Sequence, residues 1–418
     1  MTLEHLLVNQ GTVQDDHEKS PNASACFYAT LQYHAESWSH QMSSQRYTSV
    51  SLFSGIGGFD IGLHEVGFAP LACVEKDPHA QKTLQHWLER QQLNTLCYDD
   101  ITQLTPEALQ RDLNLPPKHL DLLVGGPPCQ AFSLIGKRQS IADARGLLLF
   151  DMIRFAHALL PKVLLVEQVR GLLSAKDENG VRGSVLASFV EQITQLGYTV
   201  TYKVLRAADY GVPQLRDRLF VVAVRGVSTP FHFPEPCYQP LDENQNTLFP
   251  NTAPATHITV QDAIADLPPP SQVNECEPVP NHVDITPKRD RERINGVPEG
   301  DYLARQYHLP AHQRGNLNPK KDTTKFRRLA WQQPSLTLRG GETFYHPQEN
   351  RYLTPRECLR LHGFSDDHIL FGPIRGRSGT VKTLDQHRLV ANAVPPPLAR
   401  QLGQAIINQV LLPALSAA

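Results

Sequence analysis

From Tyr47 onward, short apolar and β-branched runs alternate with helix-length segments: SVSLF (49–53), LACVE (71–75), DLLVGG (121–126), VLLVE (163–167), TVTYKVL (199–205) and LFVVAV (219–224). Near-continuous apolar runs suit strands buried on both faces, so the pattern predicts an α/β fold with a mostly parallel sheet covered by helices on both sides. The helices mark their own starts. Asp77-Pro78 and Thr105-Pro106 each set a capping side chain before a proline at the first helical position, where no amide is missed. Thr354-Pro355-Arg356-Glu357 adds a capping box, and its helix should stop at Gly363. In LARQLGQAIINQVL (398–411), Leu398, Leu402, Ala405, Ile406 and Val410 share one helical face.

Two stretches break this rhythm. Residues 1–46 are rich in Ser, Gln, His and Asn without a sustained period, which reads as a loosely ordered extension. After Arg225 the chain turns proline-rich and weakly periodic, as in PFHFPEP (230–236) and DLPPP (266–270). The expected organisation is therefore a main domain over 47–226, a smaller irregular domain over 227–352, and returning helices over 353–418. A chain of 418 residues is long for a single core, which favours the division.

Charge and cysteine content narrow the function. The net charge of −2 hides an asymmetry, because residues 281–340 hold 12 Lys and Arg against 6 Asp and Glu. A basic lobe on an acidic body suits a polyanionic partner. Seven scattered cysteines with no C-x-x-C pair argue against a disulfide framework and a zinc knuckle. No apolar run of about 18 residues is present, and the N-terminus lacks the order of a signal peptide. The expected location is the cytosol, or the nucleoid if the source is bacterial.

The first strand runs into FSGIGGFDIG (53–62), and Glu75 closes the second strand. Strand, glycine turn, helix and strand-end acid form the arrangement for an adenine nucleoside, with the carboxylate accepting from ribose hydroxyls. A G-x-G-x-x-G reading from Gly55 finds Asp60 in place of the third glycine. An acid there should repel a pyrophosphate, so a nucleoside without phosphates fits better than a dinucleotide. Asp100, in CYDDIT (97–102), could accept from an adenine amino group, though alone it reads as a surface aspartate.

The strand DLLVGG leads into PPCQAFSLIGKR (127–138), which puts Cys129 on a turn at the carboxyl edge of the sheet, where ligands bind in open α/β folds. Arg216, Arg218 or turn amides could raise its thiolate fraction. With FSGIGGFDIG, RGLLLFD (145–151), LVEQVRG (165–171), QLRDRLFVV (214–222), RYLTPRECLRLHGF (351–364) and ANAVPPPLA (391–399), this segment completes an ordered set. The set resembles that of the DNA cytosine-5 methyltransferases, from about Tyr47 to the last helix.

The resemblance implies the S-adenosylmethionine-dependent methyltransferase fold, with 227–352 as target-recognition domain. Phe53, Gly55, Gly57, Glu75, Asp100 and Asn392 would hold S-adenosylmethionine, with Ile56, Ile101, Leu148 and Val394 lining its pocket. Cys129 would attack carbon 6 of a flipped cytosine. Glu167 would donate a hydrogen bond or proton to ring nitrogen 3, and Arg218, with Arg216 beside it, would steady the base or nearby backbone. Duplex DNA is the implied partner, and no metal is required. The reading is compatible with a monomer, and either with a restriction endonuclease acting on the same site or with an orphan methylase. Two positions depart from the family pattern: Gln168 stands where Asn is usual, and Ala391 where Gly is usual.

Other readings fit less well. A zinc cytidine deaminase needs P-C-x-x-C with an H-x-E partner, whereas Phe132 stands three residues after Cys129. An RNA-directed relative typically lacks an insert as long as 227–350. A DNA-binding protein without activity would be expected to lose the thiol. Cys73, Cys97 and Cys358 read as packing cysteines.

Overall fold

The computed structural model describes residues 47–128, 147–176, 180–240, 255–305, 310, 326–342, 344–375 and 383–413. The extension over 1–46 and Cys129 lie outside the described residues.

Seven strands form one sheet: β1 (Tyr47–Leu52), β2 (Phe68–Val74), β3 (Leu96–Tyr98), β4 (Leu122–Gly125), β5 (Val163–Val169), β6 (Tyr198–Arg206) and β7 (Asp217–Arg225). Their order is β3-β2-β1-β4-β5-β7-β6. The pairs from β3 to β5 are parallel, while β7 runs antiparallel to both β5 and β6. The reversal follows from the connection over 207–216. It holds a single 3-10 turn, Ala207–Tyr210, and a parallel crossover would need a dozen or more residues. The six apolar runs all become strands; β3 lies at an edge, too short to announce itself by pattern.

Helices α1 (Gly58–His64), α2 (Pro78–Arg90), α3 (Pro106–Asp112), α4 (Leu147–Leu159) and α5 (Ser184–Gln195) accompany these strands. Asp77 caps α2 by accepting from the amides of His79 and Ala80, and Thr105 caps α3. One core cluster holds Val50, Leu123, Met152, Phe155, Leu164, Phe189 and Val221. A second holds Phe59, Phe68, Val124, Leu165, Phe220, Leu398 and Leu402. Alternate residues of β5, Leu164 and Leu165, thus enter different clusters, so the sheet is buried on both faces.

Beyond β7 the described chain forms two-residue strand pieces and the short helices α6 (Val260–Ile264) and α7 (Lys288–Ile294). It then returns through α8 (Pro355–Leu361), α9 (Gln386–Asn392) and α10 (Pro396–Ile406), which continues as a π turn to Leu411. The capping box of Thr354 and Glu357 is present. The chain leaves α8 through Gly363 at φ +83°.

Polar side chains organise α8. Arg351 meets Glu357 at two points, 2.9 and 2.7 Å, with both side chains buried. Desolvation alone would raise the pKa of Glu357, yet Arg351 holds this carboxyl below its usual range. Arg356, fully buried, donates to the carbonyls of Pro280, Ser365 and His368. No helix among the described residues is long and apolar enough to cross a membrane.

Candidate active site

The glycine turn begins with Phe53 in the left-handed region at φ +59°, an uncommon conformation for a residue with a side chain. Gly55, also left-handed, donates its amide to Glu75 Oε2 at 2.8 Å, and Oε1 accepts the Asp77 amide at 2.8 Å. Glu75 therefore ties the turn to the start of α2. Burial raises its pKa, while those amides act in the opposite direction. A Cβ at Gly55 would meet nothing within 4 Å, so open space lies over the turn beside Glu75. At Gly57, with φ +87°, the left-handed backbone continues.

The turn packs against the last motif, whose Val394 is 7% exposed. A Cβ on Gly58 would stand 2.0 Å from the Val394 carbonyl oxygen, and one on Gly62 2.2 Å from that of Pro396. Only glycine lets α1 approach this closely. Asn392 is exposed at the end of α9. Ile56 is fully enclosed in a cluster with Leu84 and Trp87, which leaves its backbone, not its side chain, to face a ligand.

Asp60 corrects the phosphate argument. It does not stand at the mouth of the turn but is buried, with Cys73 Sγ donating to Oδ1 at 3.4 Å and Oδ2 lacking a hydrogen-bond partner. Burial raises its pKa. Buried Cys73 and Cys358 have thiols pushed up by desolvation, as packing cysteines do. Cys97, by contrast, is exposed on the edge strand β3.

Asp100 is half-buried and prearranged. Its Oδ1 accepts from the amide and hydroxyl of Thr102 at 2.9 and 2.8 Å. Lys76 at 2.7 Å holds its carboxyl below the usual range. Ile101 is buried, and Leu148 packs half-buried against the same cluster. Arg154, which no motif flagged, joins α4 to this loop by donating to the carbonyls of Ile101 and Leu104 at 2.8 and 2.9 Å.

Glu167 and Arg218 meet where β5 and β7 run side by side. Arg218 Nε lies 2.9 Å from Glu167 Oε1. That oxygen has no aligned hydrogen-bond donor, so the contact is one of charge. Gly126, on the turn leading toward Cys129, has its Cβ position 3.5 Å from Glu167 Oε2.

Arg216 is placed otherwise than its motif suggested. Only 2% exposed, it donates to the carbonyls of Ala391 at 2.9 Å and Ala393 at 3.0 Å, on either side of Asn392. Burial without a carboxylate partner lowers its pKa to about 9, with Arg218 adding repulsion. Its guanidinium therefore clamps the last motif instead of facing the base.

His362 and Gln214 complete this clamp, and neither was singled out from sequence. Gln214 Nε2 lies 3.0 Å from His362 Nδ1, and His362 Nε2 lies 2.8 Å from the Ala393 carbonyl. The second contact requires a proton on Nε2, so Nδ1 accepts. Burial, with Arg216 nearby, holds the ring pKa well below its ordinary value, in keeping with a neutral imidazole.

The matching family model is that of the C-5 cytosine-specific DNA methylases, over residues 47–408. The chain belongs to this family. Among curated relatives, the type II methyltransferase M.Eco47II of Escherichia coli is 32% identical, the match covering 88% of this chain and 80% of that one. M.AquIA of Picosynechococcus sp. is 38% identical, over 53% of this chain and 88% of that one. The fold is shared with an E. coli prophage protein assigned as a DNA modification methyltransferase, at 21% identity and TM-score 0.61, covering 88% and 99% of the two chains.

As a cytosine-5 methylase, the chain transfers a methyl group to carbon 5 of cytosine in DNA. One further feature borders its Arg216 clamp. A cavity of about 990 Å³ is lined by Leu338 and Ala391 together with Arg289, Arg339, Arg375 and Arg388.

Proposed function

We propose that this methylase modifies one sequence in duplex DNA, as the partner of a restriction endonuclease with the same target, and that it works as a cytosolic monomer. The observation that carries the catalytic reading is Glu167 beside Arg218, at the strand end reached by the turn that leads to Cys129.

S-adenosylmethionine fits the first half of the site. Open space over Gly55 adjoins a carboxylate with lone pairs to spare, and Asp100 and exposed Asn392 flank the motifs that meet there. When bound, it supplies the electrophilic methyl group. Glu75 would accept from the ribose hydroxyls, Asp100 from the adenine, and backbone at Phe53, Gly55, Ile56 and Gly57 would border the ligand. Ile101, Leu148 and Val394 would close the apolar side.

Carbon 5 of cytosine is a weak nucleophile within an aromatic ring. The Cys129 thiolate adds to carbon 6, and Glu167 donates a hydrogen bond or proton to ring nitrogen 3, which relieves the negative charge that develops. Arg218 steadies Glu167 and the base. After methyl transfer a base removes the carbon 5 proton, the ring double bond re-forms and the thiolate departs. The target must leave the helix first, at a cost of a few kcal/mol. Basic residues of 281–340 would offset that through phosphate contacts.

The deciding experiment uses duplex DNA with 5-fluorocytosine at the target, mapped beforehand by bisulfite sequencing of DNA from cells expressing the chain. Fluorine cannot leave as a cation, so a denaturation-resistant complex is expected only with S-adenosylmethionine present. Cys129→Ala should form none and methylate nothing while still binding DNA. Methylation by that variant at a comparable rate would overturn the reading.

A further inference from the structure

β4 leaves the sheet after Gly125, its last residue in register with β5. Gly126, Pro127, Pro128 and Cys129 follow. Proline carries no amide hydrogen, so Pro127 and Pro128 cannot extend the ladder by donating to β5. A side chain does the holding instead. Gln168, 1% exposed, donates from Nε2 to the Pro127 carbonyl at 2.6 Å.

Adjacent strand residues point to opposite faces, and here both faces of β5 meet the same turn. Gly126 lies against the Glu167 carboxylate, its Cβ position 3.5 Å from Oε2, and Pro127 is gripped by Gln168. The other half of the Gln168 amide is idle, since Oε1 is buried without a hydrogen-bond partner. An amide buried with its acceptor unmet is unfavourable, and an apolar residue of the same size would avoid that loss. The half in use is the half that holds the Pro127 carbonyl, two residues before Cys129 in the sequence.

We propose that Gln168 is a positioning residue: by holding the Pro127 carbonyl it sets the place of Cys129, two residues further on, relative to Glu167, one residue back. The inference rests on the assignment of Cys129 and Glu167 given above. Addition to carbon 6 requires the thiolate and the nitrogen 3 contact together, and a misplacement of about 1 Å can cost roughly 100-fold in rate.

The test is the single-turnover rate of covalent trapping on 5-fluorocytosine duplex, with full-length enzyme and saturating S-adenosylmethionine. Gln168→Leu keeps the shape and removes the donor. It should bind S-adenosylmethionine and DNA as the wild type does and trap about 100-fold more slowly. Gln168→Glu sets a carboxylate oxygen against the Pro127 carbonyl, and donates again only when protonated. Its trapping rate relative to wild type should therefore climb as pH is lowered, which loss of packing alone would not produce. A folded Gln168→Leu enzyme trapping at the wild-type rate, or a Gln168→Glu ratio flat with pH, would overturn the proposal. A wild type that never traps would instead remove the Cys129 assignment beneath it.

Discussion

Gly58 and Val394 are packed so closely that a single methyl group on the glycine would stand 2.0 Å from the valine carbonyl oxygen. The obstacle is backbone, which cannot swing aside as a side chain can. Gly58→Ala should therefore destabilise the protein by about 1–3 kcal/mol or more, as overpacking does. It should also separate the glycine turn from Asn392. Urea denaturation together with S-adenosylmethionine calorimetry checks this; unchanged values in both would show that α1 shifts freely.

Arg216 and Arg218 are two residues apart and should fail differently. Arg216→Met leaves the Ala391 carbonyl unmet and the Ala393 carbonyl to His362 alone, a loss on the order of 1–3 kcal/mol, and should weaken S-adenosylmethionine binding through Asn392. Arg218→Met removes the partner of Glu167 and should slow covalent trapping with cofactor affinity kept. Equilibrium binding and trapping rates on both variants separate the roles, and identical profiles would refute the division.

Glu75 and Asp100 lie at the ends of neighbouring strands, each already held by hydrogen bonds. Glu75→Ala and Asp100→Ala are expected to weaken S-adenosylmethionine binding more than DNA binding. Glu75→Ala should show the larger loss, because it also releases the Gly55 amide. Calorimetry with each ligand separately gives the answer, and equal losses for both ligands would count against the cofactor assignment.

Asp60 makes stability depend on pH. Its folded pKa is raised by burial above the unfolded value, so its contribution is fully present below the unfolded pKa and is lost as pH rises through the folded pKa. Asp60→Asn does not titrate. The stability of the variant relative to wild type should therefore increase across that rise and level off above it. Denaturation of both proteins across acidic to neutral pH measures the difference, and a constant difference would mean that Asp60 ionises in the fold as it does in the unfolded chain.

Much of the architecture was legible from Tyr47 onward because it is written locally. Apolar runs of strand length, Asp77 and Thr105 before prolines, and the Thr354–Glu357 box each act within a few residues of themselves. Glu75 could be found in the same way, as an acid at a strand end following a glycine turn. The direction of β7 was not local, since it depends on what the connection over 207–216 can span.

By itself the sequence determined the α/β class, the starts of α2, α3 and α8, and the ordered motifs that place the chain among cytosine-5 methylases. Only the tertiary structure decided what several motif residues touch. Arg216 turned from a base-side cation into a clamp on Ala391 and Ala393, and Asp60 from a phosphate-repelling acid into a buried one. Gln168 and His362 gained their parts through Pro127 and Ala393. The physical reason is sequence separation: periodicity and capping report forces within a turn or a strand. A buried donor, however, takes whichever carbonyl the packed chain brings to it, here 41 positions away for Gln168 and 177 for Arg216.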